Sequence, residues 1–535
     1  MSHFLGIDVG TGSARAGVFD SKGTMLASAK RDIALFIEPG EVAEQSSEDI
    51  WRAVCASVRE AVTKSGLAGR DIAGIGFDAT CSLVVVGKGG APLPVGRSGD
   101  NERNIIVWMD HRALDQAQRI NAGKHAVLDY VGGTISPEME TPKLLWLREN
   151  LPATFDAAEH FFDLTDYLTW RSTGSLERSI CTLTCKWTYL GHERRWDDAY
   201  FRAIGLGALA DEGFGRIGTE VVEGGTALAQ GLTEAAAVDL GLLPGTPVAA
   251  GLIDAHAGGV GTVGGTGSVG TLQSRMAYVF GTSACTMAST SEPAFVPGVW
   301  GPYFSSMVPG LWLNEGGQSA AGAAIDHLVA FHPASAEASA KARAEGLSLT
   351  AWLGRRATTK SADLSAVARL AEGLHVVPEF LGNRSPFADP ESKALIAGLG
   401  MDTSLDGLVA LYVAGLLGIG YGVRQIVAAM ANKGIAIDTI VVSGGAAQSD
   451  LVRQLLADTT GLTVAGSTSP EPVLLGSAIL AAVAAQKYPD VIAAMTGMSR
   501  IGEIYRPAGG DLVPWHDKRF AAFEMLQQAG RAIRE

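Results

Sequence analysis

An apolar strand that ends in a glycine–threonine turn and returns as a second strand opens this chain, and the same device recurs past its midpoint. Phe4-Leu5-Gly6-Ile7-Asp8-Val9 reads as the first strand, Gly10-Thr11-Gly12 turns it, and residues 13–19 return. Asp20-Ser21-Lys22-Gly23 then turns into residues 24–27, so the opening is a β-meander. Tyr278-Val279-Phe280, the turn Gly281-Thr282-Ser283 and residues 284–288 repeat the pattern. Two such hairpins, each opening one half of 535 residues, predict a two-fold internal architecture. One core rarely grows beyond about 250–300 residues, which independently demands at least two large domains. The glycine-dense, uncharged stretch 258–270 is the natural boundary and a hinge element, dividing the chain into residues 1–270 and 271–535.

Strand and helix signals alternate through both halves, so the class is α/β. A helix is expected from Ser47, with Ser47 as its cap, Glu48 and Asp49 in its first turn, and Ile50, Val54, Val58 and Val62 on one face. Strands follow at residues 72–77 and 83–86. Residues 333–371 are alanine-rich and read as helical; a strand at 439–442 leads to helices from Asp450 and from about Leu474. The most apolar stretch, between Asp406 and Arg424, reads as a buried helix rather than a membrane span.

A net charge of −14 argues against broad binding to nucleic acid or anionic membrane. Five cysteines in so long a chain are no disulfide framework, and a reducing, cytoplasmic setting is expected. Cys181 and Cys185 lack the second ligand pair of a structural zinc site. No basic region followed by an apolar one marks a signal peptide at the N-terminus.

Four stretches carry chemistry. In the first, Gly10, Thr11, Gly12 and Ser13 offer backbone N–H groups and hydroxyls to phosphate oxygens, Arg15 adds a forked cation, and Asp8 stands ready to hold Mg²⁺. Taken alone, it reads more readily as an ordinary tight hairpin with a capping Asp. Gly281-Thr282-Ser283 is its echo, which suggests two loops closing on one polyphosphate. Ser443-Gly444-Gly445-Ala446-Ala447-Gln448-Ser449-Asp450 has small residues against which an adenine or ribose could lie, or which serve tight strand–helix packing. In the fourth, Asp254 sits in a small, apolar, glycine-flanked stretch, where a carboxylate needs a hydroxyl, a cation or water. It reads as a general base or as a helix cap. Gly265-Thr266-Gly267-Ser268-Val269-Gly270 lacks the strand and helix of a dinucleotide site. His256 and His111 read as polar-network or substrate-contact residues rather than metal ligands.

These stretches, in this order, resemble the FGGY carbohydrate kinases of the actin-like ATPase superfamily, over residues 4–485. Trp108-Met109-Asp110-His111-Arg112, Gly316-Gly317-Gln318-Ser319 and Gly382-Asn383-Arg384-Ser385-Pro386-Phe387-Ala388-Asp389-Pro390 add to the resemblance. Within the family the chain is most similar to ribulokinase-like pentulose kinases. Gly76-Phe77-Asp78-Ala79-Thr80-Cys81-Ser82 has small residues where glycerol kinases place an Arg-Glu pair, and it lacks the Met-His pair of xylulokinases. Thr184-Cys185-Lys186-Trp187 fits the ribulokinase pattern, in which the lysine touches the sugar.

The resemblance implies two actin-like (ribonuclease H-like) domains with the active site in the cleft between them. It implies ATP and Mg²⁺, Asp254 as catalytic base, and Asp8 at the metal. Gly10, Thr11, Gly12, Ser13 and Arg15 would form one phosphate loop and Gly281 and Thr282 the other. Gly322, Asp326, Gly444, Gly445 and Ser449 would line the nucleotide pocket, although Asp326 and Ser449 replace amides used by glycerol kinases. Cys81, Ser82, Asp110, Lys186, Asp254 and Glu315 would face the sugar. The implied reaction is phosphorylation of a terminal hydroxyl of a pentulose, D-ribulose first, with L-ribulose, D-xylulose or a pentitol as alternatives. The implied partner is a small sugar, not a nucleic acid or a membrane, and a homodimer is compatible with the family. An actin-like ATPase or a sugar sensor without kinase activity would use the same fold.

Overall fold

Strands His3–Val9, Ser13–Asp20 and Met25–Asp32 form the expected antiparallel meander, and Ile72–Ala79 runs parallel to the first of them. The short strand Leu252–Ile253 pairs parallel beyond it and closes a five-stranded sheet. The structure, a computed structural model, describes residues 2–445 and 448–534. Its second half repeats this wiring. Arg275–Phe280 and Ala284–Thr290 form a hairpin, Trp312–Gln318 extends it antiparallel, and Thr439–Ser443 and Thr463–Ser467 follow parallel on the other flank. With Trp300–Phe304 and Ile501–Tyr505 this sheet has seven strands. The sequence pairing of two hairpins is thus a pairing of two sheets with one topology, in an α/β two-domain fold.

Two helices lie between the sheets, Asp254–Val263 and Pro472–Ala484. Their backbones touch because glycines face them. A Cβ at Gly261 would stand 2.0 Å from the Pro472 carbonyl oxygen, and one at Gly476 would stand 1.9 Å from that of Ala257. Gly6 and Gly76 of the first sheet meet the carbonyls of Leu474 and Ser477 in the same way. The late helix Pro472–Ala484 is therefore packed on the first sheet.

The glycine-dense stretch departs from expectation for this reason. Of the stretch 258–270, residues 258–263 are not a linker but part of the buried helix Asp254–Val263, whose small residues permit close packing; only residues 264–270 are irregular. The alanine-rich segment is also broken, into helices Ser335–Ala344 and Leu349–Thr358 and a 3₁₀ turn Ala366–Ala371. Gly346 between the two helices has φ +68°, which a helix does not accept. The helix at Ser47–Lys64 is capped by Ser46, not Ser47: the Ser46 hydroxyl accepts from the Asp49 N–H. Helix Leu405–Ala431 is, among the described residues, the one long and apolar enough to cross a membrane, and it forms the centre of the second half's core.

Candidate active site

Both hairpin turns close alike. The Gly10 N–H donates to the Ser13 carbonyl at 3.0 Å and the Gly281 N–H to the Ser283 carbonyl at 2.9 Å. The second turn is held by the start of helix Gly322–Ala330, whose Gly322 and Ala323 N–H groups donate to the Gly281 and Thr282 carbonyls. Gly322 is needed there, since a Cβ would stand 2.7 Å from the Gly281 oxygen. The two turns open onto one cavity of about 320 Å³, lined by Asp8, Gly10, Thr11 and Arg15 from one side and Gly281, Thr282 and Ser283 from the other. Asp254, Lys186, Glu315 and Cys81 line the same cavity.

Asp254 begins the helix Asp254–Val263, with Ile253 in the cap position, so the N-cap reading does not hold. Its Oδ1 accepts from the Ala255 N–H at 2.7 Å. Burial, and next the Asp8 charge, push its carboxyl up to about 6. Asp8 lies at the end of its strand, buried, and pairs with Arg15, whose Nε is 2.7 Å from Oδ2; the Arg15 fork reaches on to Glu471 at 2.8 Å. Asp78, on the neighbouring strand, accepts from the Ser477 hydroxyl; its other oxygen, Oδ1, is buried without a donor among the described residues, and the carboxyl meets that of Asp8. Burial and then Asp8 hold Asp78 well above the carboxylate range. Three acidic side chains, Asp254, Asp8 and Asp78, thus gather beside the glycine–threonine turns.

Lys186 ends helix Ile180–Lys186, buried, with Nζ 4.8 Å from the Trp300 ring centroid. Burial disfavours its charge, but its acidic neighbours, Glu315 and Glu138 among them, outweigh this and hold its pKa well above the ordinary lysine value. Glu315 is on strand Trp312–Gln318, its Oε2 3.1 Å from His256 Nε2. Burial would raise Glu315, but the His256 hydrogen bond and charge prevail and bring it down to about 2. A half-buried pocket with a fixed cation and a fixed anion suits a polyhydroxylated, neutral ligand.

A larger cavity of about 860 Å³ continues from the second turn. Gly281, Thr282, Gly322, Asp326, Gly445 and Ser449 line it. Ser449 also caps the helix Asp450–Thr460. Gly444 is not on this wall: its φ of +97° and a Cβ position 2.5 Å from the Phe280 oxygen make it the close-approach residue behind the turn. Ala446 and Ala447 of the same loop lie outside the described residues.

Some expected residues are not brought together. Ser82 is fully buried behind the cavity; its Oγ is 3.1 Å from Thr80 Oγ1 and accepts from the Trp108 N–H. Asp110 is likewise buried, bound to Arg112 at 2.7 Å and to the Ala43 N–H at 2.7 Å. Both brace the Trp108–Arg112 segment instead of lining the cavity. Gly12 and Ser13 face the outer side of the hairpin, beside Lys30 and Lys64. Conversely, Trp108, Glu138, Cys285, Trp300 and Arg384 line the cavity and were not expected there. Arg384 lies 5.4 Å from the Trp300 centroid, so this ring is flanked by two cations. Trp108 and Arg384 sit in motifs noted above; Glu138 and Trp300 carry no local signal. His256 is buried between Glu315, at 3.1 Å from Nε2, and Cys181, at 3.2 Å from Nδ1, while His111 bridges Glu41 and Glu138.

Comparison with known proteins adds a sequence match to "FGGY family of carbohydrate kinases", N-terminal domain over residues 3–261 and C-terminal domain over residues 276–485. A Homo sapiens protein called FGGY carbohydrate kinase domain-containing protein is 47% identical over 533 residues, covering 98% of this chain and 96% of its own. A D-ribulokinase of Saccharomyces cerevisiae is 39% identical over 519 residues, covering 91% of this chain and 72% of its own. A ribulokinase of Anoxybacillus flavithermus is 30% identical over 530 residues, covering 94% and 90%. Among solved structures, the xylulose kinase of Rhodospirillum rubrum superposes with a TM-score of 0.80 at 23% identity over 99% of both chains. The glycerol kinase of Plasmodium falciparum does so with a TM-score of 0.78 at 16% identity over 99% of this chain and 98% of its own.

Proposed function

Because the chain belongs to the FGGY family of carbohydrate kinases, we propose that it transfers the γ-phosphoryl group of ATP to a terminal hydroxyl of a pentulose, D-ribulose first. One observation carries this reading: Asp254, both glycine–threonine turns, Lys186 and Glu315 share one cavity. The relatives named ribulokinase support the pentulose class.

In this reading Lys186 and Glu315 orient the sugar through its hydroxyls and carbonyl, and the Trp300 face bounds its carbon chain. The backbone N–H groups of the two turns hold phosphate oxygens, and the larger cavity takes the nucleoside. The hard oxygen donors of Asp8, with the buried Asp78 carboxyl beside it, fit Mg²⁺, and Asp8 would hold it. When bound, that ion neutralises phosphate charge. Asp254 takes the proton of the attacking hydroxyl on its carboxylate as the oxygen meets phosphorus. Approach of the two halves excludes water, which would otherwise be the acceptor.

The test is ADP release with D-ribulose, L-ribulose, D-xylulose and ribitol in parallel. The reading expects release to depend strictly on added sugar and to be fastest with D-ribulose. Sugar-independent release would instead support the actin-like ATPase alternative, and sugar binding without any release a sensor.

A further inference from the structure

Beneath the sugar pocket lies a cluster that phosphoryl transfer does not use. Cys181 and Cys185, one turn apart on helix Ile180–Lys186, point to the His256 Nδ1 at 3.2 and 3.9 Å. The donor atoms of all three lie within 4.8 Å of one another, and all three residues are buried. Around a tetrahedral ion with metal–sulfur bonds of about 2.3 Å and metal–nitrogen bonds of about 2.0–2.1 Å, sulfur and nitrogen stand roughly 3.5 Å apart. The two observed separations straddle that value. The cysteine pair lacks a second pair in sequence, but the fold brings its third ligand from a helix in another part of the chain.

Two surrounding contacts point the same way. The other imidazole nitrogen, Nε2, faces the Glu315 carboxylate at 3.1 Å, the carboxylate–imidazole arrangement that fixes a metal-bound histidine's tautomer and raises its basicity. The Ile253 N–H donates to Cys181 Sγ at 3.4 Å and so fixes that sulfur in place beside the imidazole. Sulfur and imidazole donors select zinc-type ions over Mg²⁺, which distinguishes this cluster from the oxygen donors at Asp8.

We propose that Cys181, Cys185 and His256 bind one cation of the Zn²⁺ class, with Glu315 as the outer partner of the imidazole. The ion pins helix Ile180–Lys186 to helix Asp254–Val263 under Lys186 and Asp254. Binding releases the protons that the thiols and imidazole hold, so affinity falls as pH falls. The inference does not depend on which sugar is phosphorylated, or on whether one is.

The experiment titrates the full-length, chelator-treated and reduced protein with Zn²⁺ against a chromophoric chelator, and with Cd²⁺ while following the thiolate-to-metal charge-transfer band. One equivalent is expected, with a rise in thermal midpoint. Cys181→Ser and Cys185→Ser should each lose the band, and Cys55→Ser should keep it. Glu315→Gln, with both thiols intact, should bind about 10–100-fold more weakly. Absence of chelator-competing binding in the wild-type protein overturns the proposal. So does binding that survives loss of either cysteine in a variant whose circular dichroism is unchanged.

Discussion

The Ala257 carbonyl oxygen occupies the place where a side chain on residue 476 would begin, 1.9 Å from the Cβ position of Gly476. Neither atom can yield, since both belong to helix backbones packed between two sheets. A Gly476→Val substitution is expected to destabilise the protein by about 3 kcal/mol or more, the upper range of overpacking costs. Urea unfolding followed by circular dichroism checks this; an unchanged midpoint would show that the helices can part freely.

Asp254→Asn removes the proton acceptor while keeping the shape of the side chain. General-base loss costs about 10²–10⁴-fold in rate, so kcat for sugar-dependent ADP release should fall by that amount with the sugar KM nearly unchanged. Near wild-type turnover would remove Asp254 from the mechanism.

In the proposed transfer Asp254 acts as the carboxylate, and its pKa is raised by burial and the Asp8 charge to about 6. Activity is therefore present above that value and lost as pH falls through it. The pH profile of kcat/KM for the sugar should show an acid limb near 6. A profile flat down to the ordinary aspartate range near pH 4 would contradict the assignment.

Lys186→Met keeps the chain length and removes the charge. A hydrogen bond from a charged group contributes about 1.5–3 kcal/mol, which corresponds to roughly 10–100-fold in affinity. The sugar KM should rise by that factor while the KM for ATP stays put, as measured by varying each substrate in turn.

Asp110 gives the opposite pattern, because it holds Arg112 and the Ala43 N–H and lies off the cavity. Asp110→Ala should cost about 3–5 kcal/mol of stability, as breaking a buried pair does, without changing the sugar KM of the folded fraction. A selective rise in that KM would restore Asp110 to the sugar pocket.

The hairpins were legible in the sequence because their geometry is local: an apolar strand, a turn that needs glycine, and a return strand lie within some twenty residues. Helix Asp450–Thr460 was legible for the same reason, starting where Ser449 can cap it. Residues 258–263 were not, because glycine density reads as a loop unless one knows that another helix's carbonyls sit against it. Ser82 and Asp110 lie beside cavity residues in sequence, yet motif adjacency does not say which side of a bend each side chain takes. Glu138 and Trp300 come to the cavity by long-range packing alone, and His256 meets Cys181 and Cys185 by the same route.

The late helix on the early sheet has a consequence for biogenesis. Gly6 and Gly76 wait for the carbonyls of Leu474 and Ser477, so one face of the first sheet, opposite the one that helix Ser47–Lys64 covers, lacks its helix until nearly the whole chain has left the ribosome. An amino-terminal fragment ending before Pro472 would display that apolar face, the kind of transiently exposed surface that makes an incomplete chain prone to aggregate.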